Sequence, residues 1–562
     1  MRYLLVSFLV MLNIALNAQQ HFPKYRSPLD IPVYLSGTFA ELRSNHFHSG
    51  IDIRTQGVEG HKVFAIGDGF VSRIAVSPFG FGRAIYVNHP EGYTSVYGHL
   101  QRFSPEIEAY VKQEQYRQRS FTVNLYLDSG QFPLKEGQFL GLSGNSGSSG
   151  GPHLHFEIRD AATQEPMNPL YFGIQMKDFI RPAISHFAVY PVNDSSFVMQ
   201  QHKPFYSTVQ GWGEQHRLPD HRAVELNGTF AFGIAVVDQH NDTPNKNGVY
   251  LIRLLQDSTV LYEVKADRFS FGETRYINSY IDYAYYQTNK KRLIRTAVDP
   301  LNKLSLYEKS DGIVEVRSGD TLQLIFEVLD FNQNRSLLPF TLIGIDPDTS
   351  QAKVIPPGIL VKAGTSFSLE AENFRINIPK DVFYKDEYLL MTCETDSLTG
   401  VETFQIGDRT IPVHKAFQLA VRPPDFKKPD KLYIAYLDEK NEISALKTKL
   451  EKGFLHAEPR VNGRFMVLAD TLKPEIKFLN FGQTKSVSEL TALKVKIEDK
   501  ETGIDTYIAT LNGEWLLMEY DAKNKLLIYE IDERLKQGEN YLRIEVKDQV
   551  GNQAIKEVKL LN

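Results

Sequence analysis

Apolar and polar residues alternate with a period of two along most of the chain, the pattern of strands that bury one face. Near the C-terminus Leu542, Ile544 and Val546 alternate with Arg543, Glu545 and Lys547. Earlier, residues 62–76 (KVFAIGDGFVSRIAV) and 82–100 (GRAIYVNHPEGYTSVYGHL) read as short strands broken at Gly67-Asp68-Gly69 and Glu91-Gly92, which predicts a compact antiparallel β domain. One stretch departs from the pattern. In FSPEIEAYVKQEQYRQRS, Ser104 is placed to cap a helix, Pro105 suits its first position, and Glu106 and Glu108 put negative charge in its first turn. A helical insert over residues 101–131 therefore interrupts the domain. Strands resume at FPLKEGQFLGLSG and continue through His153, so the first domain spans 19–178.

The rest of the chain is also β-rich and carries a weak internal repeat. Gly233 to Ser258 resembles Leu493 to Glu514: a strand ending in Asp, a turn, a Gly before a β-branched residue, then a second strand. Each is followed by a further match, LQLIFEVLDFNQN ending at Asn334 and YLRIEVKDQVGN ending at Asn552. Two immunoglobulin-like β-sandwiches, 180–345 and 472–562, account for the repeat. Between them residues 346–471 form a β-rich domain of unknown type with proline-rich borders at Pro356 and Pro423. The expected fold class is mainly β throughout.

Length and charge narrow the picture. A chain of 562 residues is too long for one core. With 63 Lys plus Arg against 68 Asp plus Glu, a formal net charge of -5, it is not an electrostatic nucleic-acid binder. Residues 1–18 read as a secretory signal peptide: one positive charge at Arg2, an apolar run from Leu4 to Leu16 too short to span a bilayer, then small and polar residues. The mature chain is expected in the periplasm or cell envelope, with no stable membrane span. The one cysteine, Cys393, cannot form an internal disulfide and reads as a core residue of a strand.

The candidate chemistry lies in the first domain. In GNSGSSGGPHLHFEIR (Gly144 to Arg159), His153 and His155 stand two apart on a strand and share a face. Upstream, His48 and Asp52 in HSGID stand four apart, which also shares a face in extended chain, and His99 lies in YGHL. Two imidazoles and a carboxylate make a three-ligand metal site with room for water. His48, Asp52 and one of His153 or His155 supply it, leaving the other histidine and His99 for proton transfer or for holding a developing oxyanion. Glu157 continues the same face. His46, His61 and His89 read as loop or surface residues. The Gly-Ser run before Pro152 lacks the Lys-Ser/Thr ending of a phosphate loop and reads as a turn that brings backbone close to a substrate channel.

The flanking words add a resemblance. HxxxD at His48 to Asp52, AxGDGxV at Ala65 to Val71, NHPEGYTSVYGHL at Asn88 to Leu100 and GLSGNSGSSGGPHLHFE at Gly141 to Glu157 resemble the lysostaphin-like, LytM-type zinc endopeptidases that cut the peptide part of bacterial cell walls. The resemblance covers residues 40–170. It implies one Zn2+ held by His48, Asp52 and His155, with His99 and His153 as the catalytic pair, and peptidoglycan as substrate. Two departures bear on substrate choice: a basic residue, Arg43, stands five before the first ligand, and the helical insert follows Leu100 and should sit near the mouth of the cleft. The sandwiches, which carry no clustered catalytic set, read as spacers or as docking modules for an envelope partner. The alternative from another class is a silent or occluded envelope scaffold that regulates other wall enzymes.

Overall fold

The structure, a computed structural model, describes residues 22–346, 357–395, 401–482 and 486–562; the expected signal segment lies outside the described residues. Strand makes up 46% and helix 8%, so the chain is mainly β. Among the described residues no helix is long and apolar enough to cross a membrane.

The first domain is built on one antiparallel sheet. Its path strands are β1 (Leu35–Gly37), β2 (Ile51–Arg54), β3 (Gly69–Val76), β4 (Arg83–Asn88), β5 (Tyr93–Leu100), β6 (Val123–Tyr126) and β7 (His153–Asp160). They lie in the order β1-β2-β7-β5-β4-β3-β6. The last of the seven to be made, β7, is thus inserted near the middle, between β2 and β5. Register sets the site: His155 faces Asp52 on one side and Gly98 on the other. The alternation predicted from the sequence explains why. Leu154, Phe156 and Ile158 of β7 point into the core with Ile51 and Ile53 of β2. Their neighbours His153, His155, Glu157 and Asp52 are left on the opposite face. Each fully buried Leu, Ile or Phe contributes about 1.5–3 kcal/mol, so a slip by one residue would cost the core and scatter the site together.

Helix α1 (Pro105–Gln118) forms where the sequence places it. Pro105 is at its start, but the Ser104 side chain makes no cap bond, and Arg119 ends it in the left-handed conformation. Ile107, Val111 and Gln115 are its buried face. Its other side meets the last domain: Lys112 pairs with Asp532 at 2.7 Å, and Tyr116 lies edge-on to Trp515 with ring centroids 5.3 Å apart. Arg534 covers the Tyr116 ring at 3.8 Å.

Three further cores follow. The second gathers residues from Ile184 to Leu342, together with Phe39 and Phe47. Its strands join one continuous hydrogen-bonded network around the long strand Val224–Val237, which pairs in parallel with Arg335–Gly344. A helical segment from Phe271 to Asn289 was not expected from its tyrosine-rich sequence. Burial of Ile277 and Tyr280 and a cap bond from Tyr285 N to the Asp282 side chain explain it. The third core runs from Val361 to Phe465. It touches the second domain where Arg275 donates to the carbonyls of Val413 and His414. The fourth, Ile476 to Leu560, lies between two four-stranded antiparallel sheets. Cys393 lies on a strand, as expected, but it is exposed, because Met391–Thr395 is the edge strand of its sheet.

Candidate functional site

The sheet brings His48, Asp52 and His155 into one buried group whose ligand atoms lie within 4.8 Å of one another. Asp52 comes from β2 and His155 from β7 directly opposite, while His48 stands in the extended segment before β2, its backbone bonded to Ala40 and Glu41. His48 Nε2 lies 3.0 Å from Asp52 Oδ1 and 3.1 Å from His155 Nδ1. His155 Nδ1 lies 3.0 Å from the same Asp52 oxygen.

The outer atoms of the three residues are all committed. His48 Nδ1 donates to the Thr38 carbonyl at 2.8 Å, and His155 Nε2 donates to Glu157 Oε1 at 2.8 Å. Both imidazoles in their neutral form therefore turn lone pairs toward each other and toward a carboxylate oxygen. That arrangement is repulsive without a positive charge among the three atoms, so the donor set fits a cation. Asp52 Oδ2 is taken by Arg43 Nη2 at 3.0 Å, with Glu41 3.2 Å from the same guanidinium. Gly37 leaves room for that pair: a Cβ there would lie 2.3 Å from Arg43 Nη2.

Charge follows geometry. Burial disfavours ionised Asp52, yet the charge of His48 and the hydrogen bonds of His153 and His155 hold its carboxyl well below the usual range. Burial would likewise lower His155, but hydrogen bonds to Asp52 and Glu157 outweigh it and raise the ring to about 9. Glu157, fully buried, is brought down to about 2 against the cost of burial by Arg159 and His155. Ser49 and Arg159 hold the remaining Glu157 lone pairs. Glu157 is thus an anchor for His155, not an exposed position.

His99 and His153 flank the cluster, with ring centroids 4.8 Å apart. One loop orients both. His99 Nδ1 donates to the Ser146 carbonyl at 2.9 Å, and His153 Nδ1 to the Gly151 carbonyl at 2.8 Å. His99 is left with Nε2 facing the cleft, whereas His153 turns Nε2 toward Asp52 Oδ1, 3.4 Å away. His99 has φ of 59°, in the left-handed region that a residue with a side chain occupies at a cost of about 1–3 kcal/mol, which the surrounding bonds must offset. Its backbone N donates to the Phe81 carbonyl at 2.8 Å, and the Phe81 ring stacks on His155 at 4.7 Å. Burial first, then the charges of His155 and His153, bring His99 down to about 3, so it is neutral at working pH.

All five residues singled out in the sequence meet here. Arg43 and Phe81 were missed as contacts of the site; the only signal was the position of Arg43 shortly before His48. His89 stands in a loop, as read, but it is buried: it bonds the Asp68 carbonyl and Ser95 Oγ, both at 2.8 Å, inside the first domain. The segment that touches the Gly144–Gly151 loop from outside comes from the last domain. Lys523 Nζ donates to the carbonyls of Asn145 and Ser149, and Arg83 pairs with Glu519 beside it.

Parts of the chain are similar to known proteins. Residues 46–116 match the family model described as Peptidase family M23, and residues 359–470 match one described as a Zu5-like domain. The chain is similar to an uncharacterized metalloprotease of Haemophilus influenzae, 32% identical over 123 residues, which is 22% of this chain and 20% of that protein. It is also similar to the DD-carboxypeptidase/endopeptidase Mpg of Neisseria meningitidis, 26% identical over 26% of this chain and 27% of that protein. Among solved structures, the catalytic domain of a prophage-encoded M23 protein of Enterococcus faecalis is 25% identical with a TM-score of 0.20, over 27% of this chain and 98% of that one. The chain thus spans about a fifth to a quarter of the curated relatives named here.

Proposed function

We propose that this chain, which carries a Peptidase family M23 domain at residues 46–116, is a zinc metalloendopeptidase that hydrolyses peptide cross-links of bacterial peptidoglycan. The observation that carries the reading is the triangle of His48 Nε2, Asp52 Oδ1 and His155 Nδ1, each pair within 3.1 Å and each imidazole locked by a bond to its other nitrogen. One Zn2+ bound to these atoms would supply Lewis acidity for the scissile carbonyl and acidify a water. The protein does the rest. With Nδ1 bonded to a backbone carbonyl, His99 and His153 turn Nε2 to the cleft, where either can accept a proton and, once it carries one, donate it to an oxygen that gains charge. Arg43 holds Asp52 Oδ2 and so aims Oδ1 at the triangle, and Glu157 fixes the His155 ring. The apolar run from Leu4 to Leu16 supports export to the cell envelope, where peptidoglycan lies.

Incubation with purified peptidoglycan, with zinc or with a chelator, followed by mass spectrometry of released fragments, tests the reading. New chelator-sensitive termini at a peptide bond are expected; intact peptide in the presence of bound zinc overturns it.

A second reading, an envelope scaffold silent until released, draws on the grip of Lys523 on the loop that orients both His99 and His153. A partner that lifted the last domain would then control the site. Cleavage by the isolated full-length chain excludes it.

A further inference from the structure

A second cluster of metal-ligating side chains lies outside the peptidase site, at the point where the first domain hands over to the second. Asp178 comes from the connecting segment, Asp238 ends the long strand Val224–Val237, His240 follows it, and Asp330 ends the strand Thr321–Leu329. All four are buried, with exposures of 3%, 1%, 4% and 1%. Asp178, Asp238 and His240 offer ligand atoms within 4.8 Å of one another. His240 Nε2 lies 3.2 Å from Asp238 Oδ2 and 3.9 Å from Asp178 Oδ2.

What marks this group is what it lacks. Asp178 Oδ2 and Asp238 Oδ1 are buried with no hydrogen-bond donor, and so is Asn247 Oδ1. Leaving a charged oxygen buried and unpaired costs several kcal/mol unless a cation or proton compensates it. Asn247 Nδ2 and His240 Nδ1 lie 3.1 Å apart; with the amide turned so that Oδ1 meets Nδ1–H, His240 Nε2 would offer its lone pair to the same space. A cavity of about 20 Å³ adjoins Asp238 and His240, room for one small ion or water. Burial, and beyond it the charges of Asp238 and Asp178, push Asp330 up to about 7, which places its carboxyl within reach of the same field.

The internal repeat supplies a control. Asp178 and Asp470 each stand four residues before a proline, Pro182 and Pro474; Asp238 and Asp499 each follow the end of a strand. Asp330 and Asp548 each receive the backbone N and Nδ2 of the Asn four residues on, at 2.8 and 2.7 Å from Asn334 and at 2.8 Å for both bonds from Asn552. Asp470, Asp499 and Asp548 again bring ligand atoms within 4.8 Å. There, however, protein donors fill the gap: Thr502 Oγ and Asn552 Nδ2 on Asp470, and the backbone N–H groups of residues 501–503 on Asp499. The C-terminal copy closes its acids on itself. The N-terminal copy does not.

We propose that Asp178, Asp238 and His240, with Asp330 beside them, bind a divalent cation that fastens the 175–182 connection to the second domain. Two carboxylates and one imidazole form a mixed oxygen and nitrogen set, suited to ions such as Mn2+ or Zn2+ as well as Ca2+. The site is separate from His48, Asp52 and His155 and does not depend on the peptidase reading.

The test compares full-length wild type with Asp238→Asn and Asp178→Asn, with Asp499→Asn as control. Each is loaded in turn with Mn2+, Ca2+ or Zn2+, freed of excess, and assayed for metal per chain and for melting temperature before and after chelation. Since the peptidase site is the same in all four chains, only differences count. The expected result is one fewer equivalent of one of these ions in each of Asp238→Asn and Asp178→Asn, and loss of the corresponding chelator-sensitive rise in melting temperature, with Asp499→Asn like wild type. Equal metal content and equal chelator response in wild type and both variants overturns the proposal. If one variant fails to fold, the other decides.

Discussion

His155 is held from both sides: Nδ1 lies 3.0 Å from Asp52 Oδ1 while Nε2 lies 2.8 Å from Glu157 Oε1. The ring is therefore aimed by a residue that stands outside the triangle of His48, Asp52 and His155. Glu157→Gln keeps an acceptor but loses the charge that Arg159 also uses, and should weaken zinc affinity by about 10–100-fold. Competition with a chromophoric chelator measures it; wild-type affinity would show that the carboxylate is merely packed.

His48→Ala removes one corner of the triangle. Zinc content should fall to background with far-UV circular dichroism unchanged, because the His48 side chain lies outside the apolar core that Ile51 and Phe156 share and its backbone bonds to Ala40 and Glu41 survive the change. Stoichiometric zinc in this variant would sink the ligand assignment.

His99→Ala should leave metal content intact and lower kcat by about 10²–10⁴-fold, the span of a general acid or base. His153→Ala should do the same. A loss of zinc in either would assign that residue to the metal instead.

Lys523→Ala frees the loop carbonyls of Asn145 and Ser149. Hydrolysis of a short peptide substrate should rise by up to about fivefold, equivalent to the ~1 kcal/mol that an exposed charged contact is worth. An unchanged rate would mean that the last domain docks on the loop without restraining it.

Acid sensitivity has a readable source in the third domain. His414 stacks on Tyr276 with ring centroids 4.7 Å apart. Burial, aided by Lys415 and Arg275, lowers its imidazole from 6.5 to about 4. Between those values the unfolded chain binds a proton that the folded chain refuses. The contribution of His414 is complete above 6.5 and is lost as pH falls toward 4. His414→Phe keeps the stack and cannot titrate, so its drop in melting temperature between about pH 7 and about pH 5 should be smaller than that of wild type. An equal drop would assign the sensitivity to other groups.

The parts of the site that could be read beforehand are those governed by local rules. Period-two facing put His153 and His155 together, and a spacing of four did the same for His48 and Asp52. What escaped depends on contacts across the fold. That Arg43 reaches Asp52 requires β1 beside β2 and a glycine at 37; that His89 is buried depends on how the turn at Asp68 folds over it. The helical turns at Phe271–Asn289 escaped because aromatic, strand-like composition was overruled by tertiary burial. The grip of Lys523 on a loop some 370 residues away in sequence has no local signature at all.

That loop has one more implication. Ser146 and Gly151 orient His99 and His153 through backbone carbonyls, so neither bond can be removed by exchanging a side chain of the loop. The two histidines therefore share a single tether. Anything that shifts it moves both at once, so output would be set by the fraction of time the tether holds the two rings in register, as with a duty cycle, while the chemistry of each armed molecule stays the same.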